Sequence, residues 1–312
     1  MALEAGEVMH EVFAAVRIWQ LANVQKLPRH ATATGHRIFG KDRWGRMLKQ
    51  VDNSLDDRER LMQLCFASLH TSGFEDNPDD KVRTLSNMEL ASIIYVDEQL
   101  HKMDSWPIWV ADKKKPDAAV GIEQVFDCVL EYADGKLIRF IGTIDGLVVN
   151  IYRDNRLTLD ENKTASRLDD AWKYAFDMSH QITGYLAAGT SVFDLPIYDA
   201  RVTGLKIKPT GRGEDIHVME VKRTADSILH WSRWVRHVVD LAELYAGDYE
   251  NAPRYTHSCN RYFRPCSLIP FCTDSAEGRK IQWEEMVAPE GSPSERSIAA
   301  HVEHLRKEDR VY

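Results

Sequence analysis

The chain has 312 residues, 44% of them hydrophobic, and a formal net charge of −8. That length supports one large domain or two small ones with a substantial core, and no run nears the ~18 apolar residues of a membrane helix. The acidic balance argues against a protein that binds phosphates with its whole surface, and five unevenly placed cysteines argue against a disulfide framework.

The opening "MALEAGEVMHEVF" carries Glu4, Glu7 and Glu11 and lacks the basic-then-apolar pattern of a signal peptide. The protein is therefore expected to be soluble and cytoplasmic. Residues 3–25 have helical apolar spacing through Val8, Phe13, Val16, Trp19 and Leu21. Residues 26–49, "KLPRHATATGHRIFGKDRWGRMLK", are rich in Lys, Arg and His and read as a loop with helical pieces. Further basic sets stand at Arg201, Lys206, Lys208, Lys222 and Arg223, and at Arg233, Arg236 and His237. Local basic surface on an acidic body suits either solvation or nucleic acid held in a groove.

Residues 56–72 and 86–103 read as helices, with turns at "DNPDD" and "KKKPD". Next, apolar runs separated by Asp134-Gly135 and Asp154-Asn155 predict three antiparallel strands over 123–132, 136–151 and 157–163. A helix over 167–188 follows, then strands over 198–208 and 216–223 around "PTGRGED", then a helix over 226–246. Cysteines 259, 266 and 272 fall in a loop, and the last ~35 residues form a polar helix or tail. Helices, strands, helix and strands in that order predict an α/β fold with helices packed on one sheet.

Asp145 interrupts an apolar strand in "GTIDGLV", and a buried carboxylate is costly unless paired or metal-bound. Gly142 and Gly146 flank it and leave the backbone open to close approach by a ligand. In "ENKTAS", Glu161 and Lys163 share a strand face, with Asn162 turned away. Two carboxylates with waters suit Mg²⁺ or Mn²⁺, and a neighbouring Lys can orient a metal-bound water and offset charge in a transition state. A structural Asp–Lys pair at a sheet end is the plainer reading. Asp145 and Lys163 share a face only if they are cross-strand partners or an even number of residues from being so. Direct pairing needs an odd loop such as Arg153–Asn155; a two-residue Asp154-Asn155 turn would separate them. Gln181 and Tyr185 share one helix face, either as plain surface or as a platform for a nucleic-acid strand.

Together these segments resemble the RecB-like branch of the PD-(D/E)XK nuclease superfamily: "EAGEVMHEVF" with Gly6 and His10, "GTIDGLV", "ENKTAS", and "QITGY" as Gln-x-x-x-Tyr. The resemblance covers residues 1–275 and implies a three-layer α/β/α restriction-endonuclease-like core with a mixed central sheet, with residues 276–312 as a tail. It implies a DNA exonuclease with Asp145, Glu161 and Lys163 as catalytic residues. Mg²⁺ or Mn²⁺ would be held by His10, Asp145, Glu161 and the Asn162 carbonyl, with Gln181 and Tyr185 on the DNA. The expected partner is DNA, at ends or as single strands, with a helicase or recombination complex as a further partner. The rival reading is a catalytically idle DNA-binding adaptor of a recombination or CRISPR-adaptation complex. A third is an RNase or another phosphodiesterase.

Cys259, Cys266 and Cys272 have the spacing of metal ligands, with Pro265 and Pro270 restricting the loop between them. The resemblance extends to nucleases of this branch that hold a 4Fe–4S cluster through three C-terminal cysteines and one that precedes the motif His. No cysteine precedes His10 here. Cys65 and Cys128 sit in apolar runs and read as core. Three readings stay open: a truncated chain, a different fourth ligand such as His257, or a lost cluster; Cys₃His also suits zinc.

Overall fold

The computed structural model of the chain describes residues 2–245, apart from 178, 194–196, 198 and 211–214. The chain divides into two units, Met1–Leu229 and His230–Val311. Five helices come first: α1 (Ala2–Asn23), α2 (Pro28–Phe39), α3 (Lys41–Lys49), α4 (Asp57–His70) and α5 (Leu85–Leu100). Strands β1 (Ile122–Glu131), β2 (Leu137–Asn150) and β3 (Arg156–Ala165) follow, then helices α6 (Asp170–Asp177) and α7 (His180–Phe193). Strands β4 (Asp199–Lys206) and β5 (Ile216–Lys222) and helix α8 (Ala225–Leu244) complete the described elements. None of these helices is long and apolar enough to cross a membrane.

Short polar side chains set several helix starts. Asp56 accepts the Glu59 N–H at 2.8 Å and Thr84 accepts that of Asn87 at 3.2 Å, each satisfying a first-turn donor. The single helix expected over 167–188 is two. Ser179 Oγ accepts the Ile182 N–H at 3.3 Å, so it caps α7 and ends the run that α6 began. The basic stretch 26–49 is also more regular than expected: Pro28 opens α2, and Gly40, at φ 75°, turns the chain into α3.

The strands form one mixed sheet in the order β1-β2-β3-β4-β5. The β3–β4 pair is parallel and the others are antiparallel, with α6 and α7 as the crossover. Two cores lie on its two faces. One gathers Met9, Val12, Phe13 and Val16 of α1, residues of α4 and α5, and Ile122, Val148 and Leu205 of the sheet. The other joins Ile182 and Leu186 of α7 to Phe126, Ile144, Leu159 and Val202. Helix α1 is buried on nearly every side because α2, α4 and the sheet all pack on it.

The register of β2 changes along its length. Residues 137–146 pair with β1, but β3 is met only from Leu147 to Asn150, opposite Leu159 to Arg156. Ile144 and Leu147 both enter the core under α7, whereas strict alternation would set them on opposite faces; β2 therefore bulges between them. Beyond Leu159, β3 leaves β2 and continues beside β4 to Ala165. The two strands open into a fork, and Asp145 stands at its mouth.

The β2–β3 connection is a five-residue loop, 151–155, in which Asp154 and Asn155 adopt φ 51° and 54°. The register places Asp145 level with Glu161 when continued past the ladder, two residues from the direct Asp145–Lys163 pairing considered above. The bulge of β2 lies between, so parity does not carry across it; the two-residue turn does not occur, and Asp145 lies close enough to Glu161 and Lys163 for its charge to act on both.

Candidate metal centre

The fork gathers charged groups that a continuous ladder would exclude. Asp145 Oδ2 accepts the Asn162 N–H at 3.1 Å, so the carboxylate takes the place of a missing inter-strand bond. Along a parallel pair each residue turns its N–H and C=O to the same side, so the Asn162 carbonyl also faces the fork. The Asn162 side chain points to the opposite face, where its Oδ1 accepts from the Tyr95 hydroxyl at 3.1 Å.

Helix α1 delivers His10, whose Nδ1 lies 3.4 Å from Asp145 Oδ2. Burial, partly opposed by Asp145, pushes the His10 pKa below its ordinary 6.5, so the imidazole is neutral near pH 7 and able to ligate. The third member is Glu123, a residue for which the sequence reading had no role. It stands level with Asp145 across the β1–β2 ladder, between the pairs Ile122–Gly146 and Gln124–Ile144. His10, Glu123 and Asp145 each offer a ligand atom, all within 4.8 Å of one another, and the group could hold a metal ion.

Glu161 and Lys163 lie on the α7 side. Glu161 is fully buried, with the Lys163 ammonium 2.6 Å from its Oε1. Its Oε2 meets no hydrogen-bond donor among the described residues, and neither does the buried Oε1 of Glu123. Burial first and the Asp145 charge second push Glu161 up to about 7, although Lys163 opposes them. The same two causes push Glu123 well above the usual carboxylate range. Lys163 is raised despite its burial, chiefly by Glu161 and then Asp145, and stays cationic. Three carboxylates crowded together, two with unmet oxygens, carry the electrostatic deficit that a cation removes.

Two arginines clamp the backbone around this centre. Arg17 of α1 is buried; its Nη1 donates to the Asp145 carbonyl and its Nη2 to the Asp160 carbonyl, both at 2.7 Å. It thus spans the fork from β2 to β3. Arg37 of α2 donates to the carbonyls of Ile122 and Glu123 in β1. The two glycines of "GTIDGLV" serve these neighbours rather than a ligand. A Cβ on Gly146 would come within 2.8 Å of Arg17 Cζ, and one on Gly142 within 2.7 Å of Phe126 Cζ.

Much of the basic composition is spent internally. Arg43 makes a two-pronged pair with Glu11 at 2.6 Å per bond. Arg201 is buried on Asp160 at 2.8 Å, Lys206 faces Asp215 at 3.4 Å, and Arg223 donates to Thr183 and to the Phe176 carbonyl. Lys26, Arg29, His36, Lys41, Arg46 and Lys49 remain exposed on and beside α2 and α3.

Gln181 Nε2 donates to the Tyr185 hydroxyl at 3.0 Å. Gln181 is exposed, while Tyr185 packs edge-on against Phe126 on the Glu161 face. Of the cysteines, Cys65 is buried as expected, and Cys128 is half-buried against the core under α7. Cys259, Cys266 and Cys272, and the helix or tail after them, lie outside the described residues.

No family model matches the chain, and no curated protein is similar enough to it to count as a relative.

Proposed function

We propose that the protein is a metal-dependent deoxyribonuclease of the RecB-like kind, acting as an exonuclease on DNA ends or single strands. One observation carries the hydrolytic reading. A fully buried Glu161 holds an unmet oxygen and feels the charge of Asp145, the partner of His10, while the Lys163 ammonium pairs with its Oε1. That combination is unfavourable for a structural pair and suits a site that binds a cation and a phosphate. His10, Glu123, Asp145, Glu161 and the Asn162 carbonyl would hold one or more ions. Carboxylate and carbonyl oxygens with a single imidazole suit Mn²⁺ and Mg²⁺. A divalent ion held there would polarise a phosphoryl oxygen and make a water it binds more acidic.

The protein's own groups do the rest. Lys163 keeps its proton and offsets charge that accumulates on the phosphoryl oxygens. Glu161 anchors Lys163. Tyr185 and Gln181, on the same face, line the approach and give a base a ring to stack on. Exonuclease action and the choice of DNA rest on the resemblance of the four sequence segments.

The test is digestion of end-labelled single- and double-stranded DNA with Mg²⁺, with Mn²⁺ and with EDTA. Metal-dependent release of short products is expected. Asp145→Ala and Lys163→Ala should each lose ~100-fold or more in turnover. Cleavage by both variants at the wild-type rate would overturn the assignment. Metal-dependent binding without cleavage would favour the idle adaptor.

A further inference from the structure

Glu123 has a φ of 45° inside a β-strand, a left-handed conformation that a side chain rarely adopts. Such a residue is strained and persists only where its surroundings impose it. On either side of it the ladder is regular, with Ile122 opposite Gly146 and Gln124 opposite Ile144. Within β1 the distortion is thus confined to one residue, which lies opposite the bulge of β2 and brings its carboxylate to His10 and Asp145.

The carbonyls on both sides of the distorted residue's N–H and Cα belong to Ile122 and Glu123, and both accept hydrogen bonds from Arg37. Nη1 reaches the Glu123 oxygen at 2.7 Å and Nη2 reaches that of Ile122. A guanidinium presents its donors in a rigid fork, so gripping two successive carbonyls fixes their relative direction, which an ammonium cannot do. Its base is firm: Gly35 of α2 lets Trp44 of α3 sit directly on the helix backbone, and Trp44 stacks on Phe39 with centroids 5.5 Å apart.

We propose that Arg37 is a positioning residue of the metal centre: its grip on the Ile122 and Glu123 carbonyls holds the left-handed turn that points the Glu123 carboxylate at His10 and Asp145. The inference rests on the reading that this group binds a divalent ion. It assigns to Arg37, within the basic stretch 26–49, an internal task in metal affinity, distinct from any contact with phosphate.

The experiment is a double-mutant cycle on the full chain, with Mn²⁺ affinity read by calorimetry well below each variant's melting temperature. Arg37→Met should weaken Mn²⁺ by ~10–100-fold, the range for groups that orient a ligand. Arg37→Lys, which keeps the charge and stem and guards against a misfolded Met variant, should recover only part of the loss. Glu123→Gln should weaken binding by itself. Adding Arg37→Met to Glu123→Gln should then cost less than threefold, because Arg37 acts through a carboxylate already removed. A full additional loss in that background, or wild-type affinity for Arg37→Met, would overturn the positioning role while leaving the metal site intact. Wild-type Mn²⁺ affinity for Glu123→Gln would remove Glu123 from the ligand set, and the proposal with it, whereas no Mn²⁺ binding by the wild-type chain would overturn the metal reading itself.

Discussion

Asp160 and Glu161 are neighbours on β3, both carboxylates and both buried, at 3% and 0% exposure. They face opposite sides of the sheet and opposite electrostatic fates. Asp160 accepts from Arg17 and Arg201, and Arg201 lies 4.7 Å from the Trp106 ring centroid as well. Against the cost of burial, Arg201 and Arg17 hold the Asp160 pKa below its ordinary value. Glu161 has one ammonium, a repelling Asp145 and an oxygen with no donor, and is pushed up to about 7. Burial alone therefore does not mark a functional carboxylate; incomplete satisfaction does. The Asp160 side holds α1 to the sheet, and the Glu161 side is left short of positive charge.

The largest effect should come from the satisfied side. Asp160→Ala leaves two guanidiniums facing each other without an anion and should destabilise the fold by about 3–5 kcal/mol in a denaturant titration. A cost as small as that of an exposed substitution would break the contrast.

The Glu161 side should show its strain in the pH dependence of the metal-free protein. Between its ordinary 4.5 and about 7, Glu161 is protonated in the folded chain and ionised in the unfolded one. The folded state binds more protons there, so stability falls as pH rises through that window, by on the order of 3 kcal/mol. Glu123 adds to the same slope, and His10, shifted down, opposes it below 6.5. The clean observable is the difference between wild type and Glu161→Gln, which should flatten that part of the curve and leave the variant more stable at pH 7.5 without metal. Mn²⁺ should reverse the order. Parallel curves for the two proteins would remove the unmet charge from the account.

The smallest effect separates the faces by ligand. Tyr185→Ala should weaken DNA binding by about 1–3 kcal/mol and leave Mn²⁺ affinity unchanged. Tyr95→Phe, on the Asp160 side, should cost about 1 kcal/mol of stability through the lost bond to Asn162 and nothing in DNA affinity. Equal DNA affinity in Tyr185→Ala and wild type would return Gln181 and Tyr185 to plain helix surface.

The strands and most of the helices were legible because their periodicity and turn residues agree with the packing. The helix expected over 167–188 hid a break, although Ser179 followed by an apolar run is itself a start signal. Asp145 stood out as a carboxylate inside an apolar strand, and the same logic applied to "AAVRIWQL" would have flagged Arg17. Glu123 could not be found that way. A charged residue near a strand start is ordinary, and nothing in the letters shows a left-handed φ. The basic stretch 26–49 read as surface because composition does not reveal that Arg37 and Arg43 turn inward.

The fork closed by Arg17 also fixes an order in time. Arg17 and Asp160 are 143 residues apart. At synthesis rates of ~5–20 residues per second, the helix bearing Arg17 exists for ~7–30 s before its anion has been made. Over that interval α1 can gather α2, α4 and α5, whose residues adjoin it early in the chain, but its guanidinium must stay hydrated. Closure of the fork therefore waits for β3, and a nascent chain paused before that strand already carries His10, Glu123 and Asp145 but lacks Asp160, Glu161 and Lys163.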